Sequence, residues 1–470
     1  MPDVISHDVV VIGSGPGGER SAATAAFFGN RVALVEKDPM LGGASTNTGT
    51  IPSKTFRETA LALSGLRGRN LYGVDLSLRR GATIRDFMYH EERVKGSERE
   101  RVRTNLESVL VTRYNGTGSF VDPHTIRVTG GSSGEVLLRG ERIFLATGSS
   151  PIHPPGFCFP DPRVLDSDEI LTMDCLPRSL AVVGAGIIGS EYACTFAAMG
   201  TEVHLLDGRN TLLPFLDREI AFALQEAMKR LGIIFHWNEK VTQCDTSQEG
   251  PVRLVCDSGT VLEVENVLVA AGRQSNVELL NLPAAGVTPV ERGLLKVDSA
   301  FRTEVPHIYA VGDMIGFPAL AATSAEQGRI AACHASGKLL KLNLSPLLPT
   351  GIYTIPEVSA VGDSEEELKK KGVAYVAGRA FYSNNARGKI IGDESGMLKL
   401  LFRASDKKLV GVHVIGEQAT ELVHIGLIAM LTDSGNELFN TACFNYPTLG
   451  DLYKSATYNA FITNYRSSSA

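Results

Sequence analysis

The apolar positions near the N-terminus come in short unbroken blocks rather than in strict alternation. Asp8-Val9-Val10-Val11-Ile12 is apolar on both faces, which predicts a parallel strand covered on each side. Gly13-Ser14-Gly15-Pro16-Gly17-Gly18 follows directly. An Ala-rich segment, Ser21 to Phe28, then reads as helix, and Arg31–Glu36 as the next strand. The same succession returns at Ser179–Val183, Gly184-Ala185-Gly186-Ile187-Ile188-Gly189, a helix over Ser190–Met199 and a strand over Val203–Asp207. Two such units about 170 residues apart predict duplicated dinucleotide-binding domains. Between them, Arg85 to Leu110 scatters apolar residues among dense charges, the pattern of a long amphipathic helix with a solvated face. From about Leu348 onward strands and hairpin turns take over, with a further helix around Glu417–Thr432.

The glycine spacing gives the βαβ units a chemistry. In Gly13-x-Gly15-x-x-Gly18 the first glycine permits a tight turn and the second lets the backbone approach a pyrophosphate. The third allows helix and strand to pack closely, with the helix N-terminus facing the negative charge. Glu36, at a strand end about 20 residues on, is placed to hold a ribose 2′-hydroxyl. Gly184-x-Gly186-x-x-Gly189 repeats the pattern for a second nucleotide, with Asp207 at the acid position and Arg209 two residues later. A carboxylate suits the free 2′-hydroxyl of NAD(H), and a guanidinium suits the 2′-phosphate of NADP(H). Both types at one strand end predict a site that accepts either nucleotide.

Composition narrows the setting. At 470 residues the chain has room for two or three domains. A net charge of −6, with acidic residues interleaved among the arginines of 99–103, gives no electrostatic case for nucleic acid or an anionic membrane. No apolar run reaches a membrane-spanning length, and the first eight residues carry no signal-peptide pattern, so cytoplasm is the expected compartment. The seven cysteines, at 158, 175, 194, 244, 256, 333 and 443, form no C-x-x-C pair and are expected to be small buried residues. His413 and His424 are expected to pack or hydrogen-bond rather than bind metal, and no metal site is expected.

Taken in order, the motifs identify the chain, over roughly residues 7–462, as resembling the pyridine nucleotide–disulfide oxidoreductases such as lipoamide dehydrogenase and glutathione reductase. Gly42-Gly43-Ala44-Ser45-Thr46-Asn47-Thr48-Gly49-Thr50-Ile51-Pro52-Ser53-Lys54 is similar to that family's active-site loop. Ile143–Ser149 is similar to its A-T-G segment, Ile308–Asp313 to its second FAD fingerprint and Tyr353–Gly362 to the start of its dimerisation domain. The resemblance implies FAD held by Gly13, Gly15, Gly18, Glu36, Gly43, Ser45, Lys54, Thr147, Gly148 and Asp313. It implies a pyridine nucleotide held by Gly184, Gly186, Gly189, Asp207, Arg209 and Gly272. Lys54 would lie beside flavin N5, oriented by Glu191, and these two are the expected catalytic residues.

Two departures set this chain apart. The family's two relay cysteines correspond here to Ser45 and Thr50, and a hydroxyl cannot exchange with a disulfide. The family's H-P-T-x-x-E acid/base stretch corresponds to Tyr446-Pro447-Thr448-Leu449-Gly450-Asp451, so Tyr446 and Asp451 stand at the histidine and glutamate positions. A phenol with an ordinary pKa near ~10 is a poor proton shuttle at neutral pH. Gly49–Lys54, Pro349–Glu357 and Phe444–Thr448 are similar to members that exchange hydride between two pyridine nucleotides. The expectation is an α/β flavoprotein with two Rossmann-like domains. Residues 1–150 with 275–347 would bind FAD, 151–274 NAD(P), and an α+β unit, 348–470, would form a homodimer or higher homo-oligomer. Its expected reaction is ping-pong hydride transfer from NADPH to NAD⁺ through FAD, without a thiol. The alternatives are a cysteine-less NAD(P)H:quinone or dye reductase on the same fold, and a non-catalytic flavoprotein subunit.

Overall fold

Strand Val4–Ile12 runs parallel to Val32–Glu36 on one side and to Val136–Leu145 on the other, near the middle of a seven-stranded sheet. The computed structural model describes residues 4–64, 84–131, 134–338 and 343–467; the first three residues, and 468 and 469 of the Ser-rich tail, lie outside them. Val9, Val10 and Val11 are at most 1% exposed: Val9 and Val11 pack against helices, and Val10 packs on the other face against Phe120, Ile126 and Leu138 of the antiparallel strands. Thr112–Asn115 extends the parallel edge beyond Val32–Glu36. The long strand Val136–Leu145 has two roles. Its first half pairs antiparallel with Thr125–Thr129, which pairs in turn with Thr117–Asp122, and its last residues pair parallel with Ile308–Ala310. That pairing brings a segment from late in the chain to the strand ends where Gly13 turns.

A second sheet repeats the parallel theme. Its order is Ile234–Trp237, Glu202–Asp207, Ser179–Val183, Asn266–Val269, Val164–Asp166. A three-stranded antiparallel sheet, Val241–Asp245, Val252–Cys256 and Val261–Val264, shares a core with it through Leu206, Val252, Leu254 and Val267. The chain passes between the seven-stranded mixed sheet and the five-stranded parallel sheet through an antiparallel ribbon of Ser149–Pro151 and Arg273–Ser275. A third sheet is wholly antiparallel, in the order Thr350–Ile352, Val358–Gly362, Leu409–Ile415, Met397–Arg403, Tyr375–Phe381. Helices Ala419–Leu431 and Leu452–Ser467 accompany it, giving the expected α+β character.

Both nucleotide-unit helices start earlier than the apolar pattern suggests, at Pro16 and Ile187 rather than at Ser21 and Ser190. The glycine turn itself forms the first helical turn, and Pro16 sits where its missing N–H is not needed. The amphipathic helix spans Ile84–Ser108, burying Val102 and Leu106 while Arg103 pairs with Glu100 and Glu107 on the wet face. The cysteines correct an expectation. Cys194, Cys256 and Cys333 are buried, but Cys158, Cys175 and Cys443 are exposed, because these three lie in irregular segments that run over the surface.

A buried charge cluster ties the third sheet to the second. Lys399, whose side chain is only 2% exposed, meets Asp217 at 2.8 Å, Glu219 at 3.0 Å and Glu365 at 2.7 Å. Asp217 also caps helix Arg218–Arg230 by accepting the Glu219 N–H. Arg379 adds a second cation, to Glu219 and Glu365. His413, buried beside the cluster, bonds the Asp363 carbonyl at 3.0 Å, in line with its expected packing role. His424 is exposed.

Candidate active site

The two glycine turns have nearly the same geometry. A Cβ on Gly13, at φ +102°, would stand 2.3 Å from the Ala146 carbonyl oxygen, and one on Gly18 would stand 1.9 Å from that of Gly13. Their equivalents, Gly184 at φ +110° and Gly189, would meet Ala270 O at 2.4 Å and Gly184 O at 1.9 Å. These glycines are demanded by packing. Gly15 and Gly186 are different: a Cβ on either would find no atom within 4 Å. Each instead opens space beside a helix N-terminus, the cradle a pyrophosphate needs. Gly43 closes on the first turn, since its Cβ would lie 2.9 Å from Gly15 Cα.

The acid positions are also paired. Glu36 accepts the Ser14 N–H at 2.8 Å and the Asp38 N–H at 3.0 Å. Asp207 accepts the Ala185 N–H at 2.8 Å, so each carboxylate is anchored to its own glycine turn. Arg209 does not simply point to solvent. It forks onto Asp207, Nε to Oδ1 at 2.8 Å and Nη2 to Oδ2 at 2.7 Å. Burial by itself would raise the Asp207 pKa, but the guanidinium and backbone N–H donors outweigh it and hold the carboxyl below its usual range.

Helices from different sheets converge between the turns. Lys54, on helix Thr50–Leu63, places Nζ 2.5 Å from Oε2 of Glu191, on helix Ile187–Ala198. The other Glu191 oxygen accepts the Tyr353 N–H at 2.8 Å, and the Tyr353 ring centroid is 5.1 Å from the Lys54 ammonium. Arg57 fastens the Tyr353 segment to the lysine helix, donating to Thr354 O at 3.0 Å and meeting Glu357 at 3.3 Å. Tyr353 and Arg57 were not singled out from sequence. Their only signal is position, three residues after Lys54 for the arginine and directly ahead of Thr354-Ile355-Pro356-Glu357 for the tyrosine.

The remaining predicted positions cluster around these. Ser45 is half-buried on the short helix Gly43–Asn47 and lines a cavity of about 180 Å³ with Pro16, Arg20, Gly42, Thr46 and Ile51. Thr50 is exposed at the start of the lysine helix. Asn47 steadies the loop, bonding Leu41 O and Gly43 O while receiving Arg99 Nε at 2.7 Å. Thr147 Oγ1 donates to Asn276 O, and Gly148 adopts φ +69°. Asp313 accepts the Ser149 hydroxyl at 2.6 Å, Ser149 receives Arg273 Nε at 2.9 Å, and Arg273 pairs with Asp168 at 2.9 Å. Gly272, at φ +105°, accepts Ile152 N–H where the ribbon crosses between sheets. Tyr446 and Asp451 stand apart. Tyr446 is 79% exposed, and among the described residues neither bonds to Ser45, Thr50, Lys54 or Glu191. No group of three or more potential metal ligands occurs among the described residues, and no helix there is long and apolar enough to cross a membrane.

Two glycine cradles with an acid at each strand end, joined by a lysine–glutamate pair, define a flavin- and pyridine-nucleotide-dependent oxidoreductase. The open space at Gly15 and the closeness of Gly43 fit FAD in the first cradle, and the open space at Gly186 fits NAD(P)(H) in the second. Residues 7–328 match the pyridine nucleotide-disulphide oxidoreductase family, and residues 348–457 match its dimerisation domain. The chain belongs to that family. It is 47% identical over 451 residues to the soluble pyridine nucleotide transhydrogenase of Mycobacterium bovis (strain BCG / Pasteur 1173P2), covering 96% of each chain. It is 37% identical over 462 residues to the enzyme of the same name from Escherichia coli O127:H6, covering 98% and 99%. Among solved structures it resembles LpdA of Mycobacterium tuberculosis, at TM-score 0.88 and 26% identity, covering 96% and 99%. It also resembles the Cu(II) complex of the HOCl-induced flavoprotein disulfide reductase RclA of Escherichia coli, at TM-score 0.86 and 25% identity, covering 96% and 99%.

Proposed function

We propose that the protein is a pyridine nucleotide transhydrogenase working by a ping-pong cycle, NADPH + NAD⁺ → NADP⁺ + NADH, without a redox disulfide. The observation that carries this reading is a nucleotide cradle bearing both Asp207 and Arg209 beside a loop with hydroxyls at Ser45 and Thr50. Relatives that bear the transhydrogenase name at 37–47% identity support it. When bound, FAD supplies a two-electron carrier able to accept hydride from one nucleotide and return it to another. The chain's own residues bind and position. Gly184, Gly186 and Gly189 admit the pyrophosphate, Asp207 and Arg209 face the adenosine ribose, and the glycines at 13, 15 and 18 with Glu36 and Asp313 hold the flavin nucleotide. Lys54, fixed by Glu191, offers a preorganised positive charge where negative charge develops on reduction. No side-chain proton needs to move, which accords with tyrosine at position 446. The 348–470 unit forms a homodimer, and the chain divides at 150/151, 274/275 and 347/348.

The decisive experiment reduces the FAD-loaded protein anaerobically with NADPH, then offers NAD⁺ or a quinone in parallel. Reoxidation by NAD⁺, with NADH appearing, is the expected result. Reoxidation by quinone alone would replace this reading with a quinone or dye reductase, and no reduction by NADPH would leave a non-catalytic flavoprotein.

A further inference from the structure

Asp207 receives four hydrogen bonds, from the N–H groups of Ala185 and Arg209 and from Arg209 Nε and Nη2. A carboxylate has about four lone-pair sites, so this one is saturated. A ribose 2′-hydroxyl could enter by taking the place of one guanidinium donor. A 2′-phosphate is a different visitor, because its charge would face the carboxylate directly unless a cation moved between them. Arg209 is able to move. Its side chain is 51% exposed, and if it left, Asp207 would keep both backbone donors. Yet one guanidinium shared by a carboxylate and a phosphate dianion leaves about two net negative charges at the strand end, and a second cation would halve that excess.

The turn after strand Ile234–Trp237 brings one. Asn238 N–H bonds Arg209 O and Glu239 N–H bonds Asp207 O, each at 3.1 Å, which pins this turn against the 207–209 segment. Lys240 is fixed next in line, its N–H donating to Asp257 Oδ1 at 3.0 Å and its carbonyl accepting the Asp257 N–H at 2.9 Å. The residue between Asp207 and Arg209 is Gly208. A Cβ placed there would have Lys240 Cγ, at 3.7 Å, as its one neighbour within 4 Å. The lysine stem therefore runs past the gap left by the missing side chain. Lys240 is exposed and forms no ion pair among the described residues. Glu239, the nearest acid in sequence, is bonded instead by the Ser258 and Thr260 hydroxyls.

We propose that Lys240 is the second cation of a 2′-phosphate subsite, and that the Asp207–Arg209 fork is the resting position of a guanidinium that turns onto that phosphate. This rests on the reading of the second glycine turn as a pyridine nucleotide site. It explains how one strand end serves both nucleotides. Asp207 with the fork loosened meets a diol, and Arg209 with Lys240 meets a phosphate monoester.

The test needs no turnover, so its failure is separate from failure of the hydride-exchange reading. The FAD-loaded protein is titrated with 2′,5′-ADP and with 5′-AMP, which differ only in the 2′-phosphate. Lys240→Gln should weaken 2′,5′-ADP at least about tenfold more than 5′-AMP, the loss typical of a charge-assisted hydrogen bond. It should also flatten the salt dependence of 2′,5′-ADP binding, and Lys240→Arg should restore both. Equal weakening of the two ligands, or no change in either, overturns the assignment of Lys240. In a crystal structure with 2′,5′-ADP, the Arg209 guanidinium should contact the phosphate. An intact Asp207 fork in that complex overturns the moving arginine.

Discussion

Lys54 and Glu191 meet at 2.5 Å although 137 residues separate them in the chain, and the carboxylate is held from its other side by the Tyr353 N–H. Three separate parts of the sequence therefore fix one ammonium. Pairing with the partly exposed lysine offsets part of the cost of burying the Glu191 carboxylate. The Tyr353 ring centroid lies 5.1 Å from the ammonium and offers it an electron-rich face, while the lysine side chain stays 25% exposed.

Replacing Lys54 with Met should slow anaerobic flavin reduction by NADPH about 100-fold, as loss of one preorganised charge does elsewhere. On the proposal that the lysine faces the flavin and not the nucleotide turn, NADPH binding should change far less. Stopped-flow reduction traces give both quantities. A reduction rate within about threefold of the wild type would remove Lys54 from the chemistry.

Thiol chemistry should be dispensable. Alkylating the exposed Cys158, Cys175 and Cys443 in the folded FAD-loaded protein should leave NADPH-to-NAD⁺ turnover within about twofold. Thr50→Val should do the same, since Thr50 is exposed at a helix start. Loss of turnover on alkylation, tracked to one cysteine by peptide mass mapping, would reveal a thiol relay outside the loop.

The two glycine turns should fail separately. Ala at Gly189 would put its Cβ 1.9 Å from Gly184 O, which should abolish NAD(P)(H) binding while FAD absorbance persists. Ala at Gly18 creates the same clash with Gly13 O and should instead yield protein without FAD. Absorbance at the flavin band and nucleotide titration distinguish the two; FAD loss from the Gly189 variant would mean the turns are not independent.

Lys399→Met should destabilise the protein by about 3 kcal/mol, because three carboxylates would lose their shared buried cation. Burial works to raise the Glu365 carboxyl, but Lys399 and Tyr375 overcome it and hold the pKa at about 2. Asp217 and Glu219 are likewise held below the usual range against the effect of burial. Folded pKa values below unfolded ones give stability that is fully present above about pH 4–5 and drains away as pH falls toward about 2. Thermal melts of the wild type should drop steeply over that window, and those of Lys399→Met less so. Parallel curves would show that the cluster does not govern acid stability.

Much of the architecture was legible because parallel strands buried on both faces leave continuous apolar blocks, and glycine turns leave a fixed spacing. Val9–Ile12 and Ser179–Val183 announced their sheets, and Gly18 and Gly189 their tight helix packing. Helix starts were less legible, because Pro16 and Ile187 lie inside the glycine motifs and carry no amphipathic signal of their own. The exposure of Cys158, Cys175 and Cys443 escaped altogether, since a cysteine's burial depends on whether its segment is covered.

The sequence by itself determined which chemistry is available: two nucleotide cradles, an acid for each, Lys54 and Glu191, and hydroxyls at 45 and 50. These follow from residue type and local spacing, which act over a single turn or strand. Tertiary structure alone decided which of them meet. The passage of Lys240 along Gly208, the Tyr353 N–H on Glu191 and the burial of Lys399 among three carboxylates all depend on how strands and sheets pack. Hydrogen bonds and ion pairs fall off over a few ångströms, so contacts between distant segments exist only once the fold has set those distances.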